Sequence, residues 1–384
     1  MITPLPREEF GVTERYVYLN HAAVGVLPKS SVAVLQRFLS AQGDAGVLGT
    51  WPYEDEMPAI RASIARFIGA HEREIAIVRN SSDGANAIAC GIDWKPGDEV
   101  ILCDNEFPAN AISWVALRRR GVAVRVLNTQ YERLTPAVLA REISSRTRVV
   151  AVSWVSYGDG YRHDLAGLAE VAHRKGALLC VDAMQALGAF PIDVRAESVD
   201  ALYLGAAKWM LSLQGVGFLY VRADLIDRLI LAAPGWRSMR DIWDFANFEQ
   251  PYAAGASRFE GGTPSFLGAV SIAAAIALFE RCGGAAAVAA HVLSLTDRLC
   301  DGLNRLGARI ASIRGPKTSS AIVTFSLPGC DSVELGRWLQ ERGIVTTYRS
   351  SGVRVAPHGY NAFEEIDGLL EAAAQYAAAT VEKA

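Results

Sequence analysis

Between residues 75 and 222, short apolar runs alternate with longer segments whose apolar positions recur every three or four residues. The runs fall at 75–79, 99–103, 123–127, 148–153, 177–182, 200–204 and 216–222. Most are almost continuously apolar, the pattern of strands covered on both faces. The segments 109–120, 135–144 and 164–175 between them carry helical spacing. Together they predict an α/β domain, a mostly parallel seven-stranded sheet between layers of helices. The link at 207–215 is too short for a crossover helix, so one strand is expected to run antiparallel.

After residue 231 the alternation stops. Residues 234–264 show no period and collect Trp236, Trp243, Phe245, Phe248, Tyr252 and Phe259. An irregular stretch of this length usually carries function or an interface, although such aromatics can also fill a local core. Beyond it the pattern predicts helices at 267–281 and 285–306, a strand at 321–326 and a helix at 333–342. A strand near 344–348 and a last helix from Glu364 complete a smaller α+β domain. The expected division is a segment 1–20 packing with the small domain, a large domain 21–262 and a small domain 263–384.

Composition narrows the function classes. Hydrophobic residues make up 51% and charged residues 21%, as in soluble globular proteins. The net charge of −3 and the lack of a basic run give no basis for nucleic-acid binding. Residues 1–10 do not read as a signal peptide, and no 18-residue apolar run predicts a membrane span. Six scattered cysteines without a Cys-x-x-Cys, and six histidines without zinc spacing, predict reduced thiols, a cytoplasmic location and no metal.

Lys208 carries the first chemical signal. It lies in Leu204-Gly205-Ala206-Ala207-Lys208-Trp209-Met210, and the chain holds 6 lysines against 32 arginines. A desolvated lysine has a lowered pKa and can act as a nucleophilic amine. Twenty-six residues earlier, Leu178-Leu179-Cys180-Val181-Asp182 reads as a buried strand ending in a carboxylate. Such a carboxylate can hold a protonated pyridine nitrogen, so the pair suggests a pyridoxal phosphate (PLP) site with Lys208 as the Schiff-base lysine. Singly, a snorkelling lysine and a helix-capping aspartate explain them as well.

Other strand ends supply matching groups. Asn80-Ser81-Ser82-Asp83-Gly84 follows the first strand and opens a helix, offering hydroxyls and free N–H groups to a phosphate. Phe107, after the second strand, offers a ring for stacking. Gln185, three residues past Asp182, offers an amide to a ring hydroxyl. All follow strand C-termini, where open α/β sheets bind ligands.

The order of these motifs resembles the class V aminotransferase family, the fold type I PLP-dependent enzymes that include cysteine desulfurases, isopenicillin-N-epimerase-like proteins and kynureninase. The resemblance runs over nearly the whole chain. It is carried by Tyr18-Leu19-Asn20-His21-Ala22-Ala23, Arg79-Asn80-Ser81-Ser82, Ser153-Trp154-Val155-Ser156-Tyr157 with Gly160, and Val181-Asp182-Ala183-Met184-Gln185. It continues through Lys208-Trp209, Gly215-Val216-Gly217-Phe218-Leu219-Tyr220, Arg258-Phe259-Glu260-Gly261-Gly262-Thr263-Pro264 and Arg354 ahead of Tyr360-Asn361.

The resemblance implies a fold type I enzyme with PLP on Lys208, Asp182 at the pyridine nitrogen and Gln185 at the ring oxygen. Ser81 and Ser82 would contact phosphate, and Phe107 would stack on the ring. Thr263 would reach the phosphate of a partner subunit, implying a homodimer with shared active sites. Arg354 would clamp the carboxylate of a small amino-acid substrate, with Tyr157 and Asn20 nearby. Five departures matter. Ala207 stands where many desulfurases have a histidine before the lysine, and Tyr157 where they often have an asparagine. Phe107 stands where many desulfurases have a stacking histidine. Gly205 replaces a common phosphate-binding serine. The segment 346–352 is short and lacks the cysteine that carries persulfide in desulfurases. The simplest reading is an aminotransferase. The alternative is a C–S lyase or desulfurase-like enzyme acting on cysteine derivatives, or an amino-acid epimerase. A non-catalytic binding protein on this fold and a nucleotide-binding dehydrogenase are both disfavoured; for the latter, no Gly-x-Gly-x-x-Gly follows a strand.

Overall fold

In the computed structural model, residues 3–129, 132–349 and 351–381 are described. The seven apolar runs form one sheet: β1 (Ile75–Val78), β2 (Glu99–Cys103), β3 (Ala123–Leu127), β4 (Thr147–Ser153), β5 (Leu178–Asp182), β6 (Ala201–Gly205) and β7 (Gly217–Val221). Their order is β1-β7-β6-β5-β4-β2-β3. Only β7 is antiparallel to its neighbours, as the short link before it requires.

The continuous apolar runs have a direct cause. Along β4, Val149 and Ala151 enter the core on one face, and Val150 and Val152 enter the core on the other. Helices cover both faces. On one side lie α3 (Ser81–Gly91) and α4 (Pro108–Val115); on the other lie α2 (Pro52–Ile68), α6 (Leu165–Arg174) and α7 (Phe266–Arg281). α1 (Lys29–Ala45) packs against α7, and α5 (Pro136–Glu142) against α6. Local signals start these helices. Pro108 and Pro136 stand in the first turns of α4 and α5, and Thr135 and Asp164 cap α5 and α6 through their side chains.

The smaller core gathers Leu295, Leu299 and Leu303 of α8 (Gly284–Arg305). It adds Leu335 and Leu339 of α9 (Ser332–Glu341), and Ile366 and Leu369 of α10 (Phe363–Val381). These helices back the sheet β10-β11-β9-β8, built from β8 (Arg309–Ile310), β9 (Val323–Ser326), β10 (Thr347–Arg349) and β11 (Gly352–Val355). The N-terminal pair Val17–Tyr18 lies parallel to Ile344–Val345.

The structure adds helices at Lys29–Ala45 and Pro52–Ile68 and short strands at Val17–Tyr18 and Arg309–Ile310 that the sequence pattern did not indicate, and it differs elsewhere. The helix expected over 109–120 becomes α4 followed by a 3-10 turn, Ala116–Arg120, closed by Gly121 in the left-handed region. The single strand expected near 344–348 is divided between two sheets: Ile344–Val345 pairs with the N-terminus, and β10 pairs with β11. β11 itself was not expected, because four residues that include an arginine carry no readable period.

Candidate active site

Strand ends of the large sheet and two segments of the small domain converge on Lys208. Lys208 sits in the turn after β6, and its backbone is held from several directions. Gly25 N–H donates to Ala207 C=O at 2.7 Å. A Cβ on Gly25 would stand 2.1 Å from the Lys208 carbonyl oxygen, so only glycine lets the N-terminal segment approach this closely. Trp209 Nε1 donates to Gln185 Oε1 at 2.9 Å, and Trp209 C=O bonds His358 Nε2 at 3.0 Å.

The Lys208 amine itself makes no hydrogen bond or ion pair among the described residues. Its Nζ lies 5.5 Å from the centroid of the Phe107 ring. Burial pushes it down to about 8, with Arg354 acting in the same direction and Asp182 against it. Asp182, at the end of β5, is buried, and its Oδ1 accepts Met184 N–H at 2.8 Å. Burial pushes its carboxyl up to about 7; the charge of Glu106 adds to this, and the Met184 bond and Lys208 oppose it.

Phe107, the N-cap of α4, is 43% exposed and packs edge-on against Tyr157 at 5.2 Å. It is therefore not a core residue, and its ring is available for stacking. Ser81 and Ser82 open α3, where their N–H groups have no intrahelical acceptor. Asn80 caps the helix by accepting Asp83 N–H at 3.0 Å, and Arg79 pairs with Asp83. A Cβ on Gly84 would stand 2.5 Å from Tyr203 Cβ, so the helix rests directly on β6.

Arg354 on β11 is buried. Its Nη1 donates to Tyr157 C=O at 2.6 Å, its Nη2 donates to Thr347 Oγ1 at 3.4 Å, and its Nε has no partner. Burial pushes the guanidinium down to about 10, and Arg349 adds to this. Asn20 Oδ1 accepts the Thr347 hydroxyl at 2.6 Å, and Asn20 is bridged to Ala356. Arg354, Tyr157, Thr347 and Arg349 line a small cleft of about 100 Å³.

Two of the expected site residues have settings the sequence did not indicate. Gln185 spans two protein groups, donating from Nε2 to Ala22 C=O at 2.9 Å and accepting from Trp209, which leaves one N–H free. Thr263 is exposed and stands with Arg79, Asp83 and Trp236 in a separate cleft of about 740 Å³. That cleft is not lined by Lys208, Asp182, Phe107 or Arg354. Sequence reasoning gave no role to Thr347, His358 or Glu106. Only Glu106 had a local signal, as an acid directly before the strand-end aromatic.

This donor set fits PLP. Among the described residues a desolvated amine without a bonded anion and a desolvated carboxylate without a bonded cation lie at neighbouring strand ends, with an accessible ring and a helix N-terminus at others. The fold and site thus define a fold type I α/β enzyme. The chain belongs to the class V aminotransferase family, whose profile, Aminotransferase class-V, matches residues 17–370. It is 32% identical over 323 residues to the uncharacterized aminotransferase YcbU of Bacillus subtilis, covering 84% of each chain. It is 25% identical over 381 residues to a probable cysteine desulfurase of Methanothermobacter thermautotrophicus, covering 96% of this chain and 92% of that one. Among solved structures it is similar to a C-DES lysine-to-alanine mutant with glycine covalently linked to the PLP cofactor. That likeness has a TM-score of 0.89 at 24% identity, over 96% of this chain and 99% of the other. The complex of the cystine C–S lyase C-DES with its product cysteine persulfide matches with a TM-score of 0.86 at 24% identity, over 94% and 98%. At these identities the structural likeness carries the fold.

Proposed function

We propose that this chain is a PLP-dependent enzyme that cleaves the C–S bond of cysteine or a cysteine derivative. The second of the two sequence readings is therefore preferred to the first, because the matched relatives are mostly named cysteine desulfurases and a similar structure is a C–S lyase. The carrying observation is a chain of contacts beside the buried Asp182: Lys208 Nζ lies 5.5 Å from the Phe107 ring, Phe107 packs on Tyr157 at 5.2 Å, and Tyr157 C=O accepts from Arg354 at 2.6 Å, with no carboxylate bonded to Arg354 among the described residues.

Bound there, PLP supplies an aldehyde that joins amines and a ring that draws electrons from the substrate Cα. Asp182 would hold the proton at the ring nitrogen. Phe107 would stack on the ring, and the first turn of α3, with Ser81 and Ser82, would take the phosphate. Arg354 would grip the substrate carboxylate and so orient the Cα bonds. Lys208, whose amine burial pushes down to about 8, would take the α-proton at Nζ, and the C–S bond would then break with its electron pair leaving on sulfur as a thiolate. None of the six cysteines stands in the segment 346–352, so sulfur leaves with the product rather than on a protein persulfide. Transamination remains the second reading, supported by the 32% identity to YcbU.

One assay separates these outcomes. The purified protein with PLP is given cysteine, cystine, S-substituted cysteines and other amino acids, and pyruvate, sulfide, alanine and pyridoxamine phosphate are measured together. Pyruvate with ammonia is expected from a cysteine derivative. Accumulating pyridoxamine phosphate would instead establish transamination, and alanine, with sulfide released when a thiol reductant is added, would establish desulfuration.

The site is completed across a homodimer in this reading, because Thr263 opens into a cleft apart from its own Lys208. Thr263→Ala should weaken PLP retention while leaving Lys208 reactive. A mixture of Lys208→Ala and Thr263→Ala chains should regain activity, since each heterodimer holds one intact site. A fully active monomer rules the shared site out.

A further inference from the structure

Next to Asp182 lies a buried acid to which the proposed chemistry gives no role. Glu106 is 8% exposed, and both its carboxyl oxygens are engaged. Oε1 accepts Ser153 N–H at 2.8 Å, while Oε2 accepts the Ser153 hydroxyl at 2.5 Å and Asn110 Nδ2–H at 2.8 Å. Asn110 Oδ1 in turn accepts the Tyr203 hydroxyl at 2.6 Å. Ser153 and Tyr203 are the residues paired with Asp182 across the sheet, one on β4 and one on β6. Backbone bonds tie the same positions: Trp154 N–H donates to Asp182 C=O at 2.8 Å, and Ala183 N–H donates to Tyr203 C=O at 3.0 Å. Glu106 therefore holds one sheet neighbour of Asp182 directly and the other through Asn110.

Three donors converge on the two oxygens, so the acid serves as a double acceptor, and it does so at a desolvation cost. Glu106 has no ion pair among the described residues, and burial raises its carboxyl, against the three hydrogen bonds that lower it. The groups facing this patch are Cys103 and Asp104 at the end of β2, Asp182 on β5 and Tyr203 on β6, with Lys208 beyond Asp182. Lys208 supplies the cation that acts on Asp182, and Arg133 acts at Cys103.

We infer that Glu106 is a positioning residue for the ring-nitrogen end of the site: it clamps both sheet neighbours of Asp182 and places a second negative charge beside it, so that this end selects a cationic ring. The inference rests on the PLP reading. It has a consequence in the cofactor-free protein as well. Both carboxyls are raised by burial, so the folded chain holds protons that the unfolded chain has released. Stability is then lost as pH rises from the ordinary carboxylate range of about 4 towards about 7.

Glu106→Gln keeps the size, removes the charge and turns one acceptor oxygen into a donor. The cofactor-free variant should show a smaller loss of melting temperature between about pH 5 and about pH 8 than wild type. Its PLP dissociation constant, read by absorbance or fluorescence titration, should rise about tenfold. PLP binding within about twofold of wild type overturns the inference, as does a loss of affinity matched by a lower melting temperature at both pH values. Should Glu106→Gln fail to fold, Ser153→Ala deletes one bond and keeps the charge. It should weaken PLP binding about three- to tenfold with the wild-type pH dependence, and unchanged affinity again overturns the idea. A wild-type protein that binds no PLP removes the cofactor reading instead, while the melting experiment still judges the Glu106–Asp182 pair.

Discussion

Lys208→Ala should lower turnover by at least about a thousandfold while leaving the chain folded. The amine is desolvated and makes no hydrogen bond or ion pair among the described residues, so its removal breaks no native bond. The stability sign agrees. Burial lowers this amine to about 8, so the folded chain carries a disfavoured proton below that pH. That cost is full below about 8 and is relieved as pH rises towards the ordinary lysine value. The cofactor-free variant should therefore melt no lower than wild type at neutral pH. In the wild type, only the neutral amine attacks an aldehyde, so capture of PLP should rise with pH through about 8. Borohydride reduction followed by peptide mapping locates the modified residue. A label on any other lysine would remove Lys208 from its place in the mechanism.

Arg354→Lys should retain PLP and lose about ten- to a hundredfold in kcat/KM for amino acids, because a charged hydrogen-bond pair is worth roughly 1.5–3 kcal/mol. The guanidinium is buried without a carboxylate partner among the described residues, and its Nε is idle. A desolvated cation kept in that state is set for an incoming anion. Tyr157 C=O fixes the plane of the guanidinium through Nη1, and the planar fork can then meet a carboxylate with two parallel bonds. A lysine cannot copy that geometry. The loss should be smaller for amines that lack a carboxylate. If kcat/KM stays within about twofold for every amino acid, the carboxylate is held elsewhere, and Arg349 in the same cleft is the next candidate.

The sequence alone determined the large sheet, its single reversed strand and the placing of Asp182 and Lys208 after its central strands. Strands buried on both faces must be apolar at every position, so the seven runs stood out without any tertiary information. Asp182 and Lys208 were legible for a related reason: a charged residue closing an apolar strand, or set in a small-residue turn after one, departs sharply from its surroundings. Only the tertiary structure decided the groups that depend on distant segments. Arg354 is one of 32 arginines, and only the pairing of β11 with β9 and β10 buries it and sets it against the Tyr157 carbonyl. Gln185 became a tether between Ala22 and Trp209, and Thr263 came to line a cleft with Arg79, Asp83 and Trp236, because separate parts of the chain meet at each place. Glu106 gained its place from contacts with β4 and, through Asn110, with β6, far along the chain. Local periodicity records which faces are buried, whereas pairing between remote strands, which leaves no period in the sequence, decides which polar groups end beside one another.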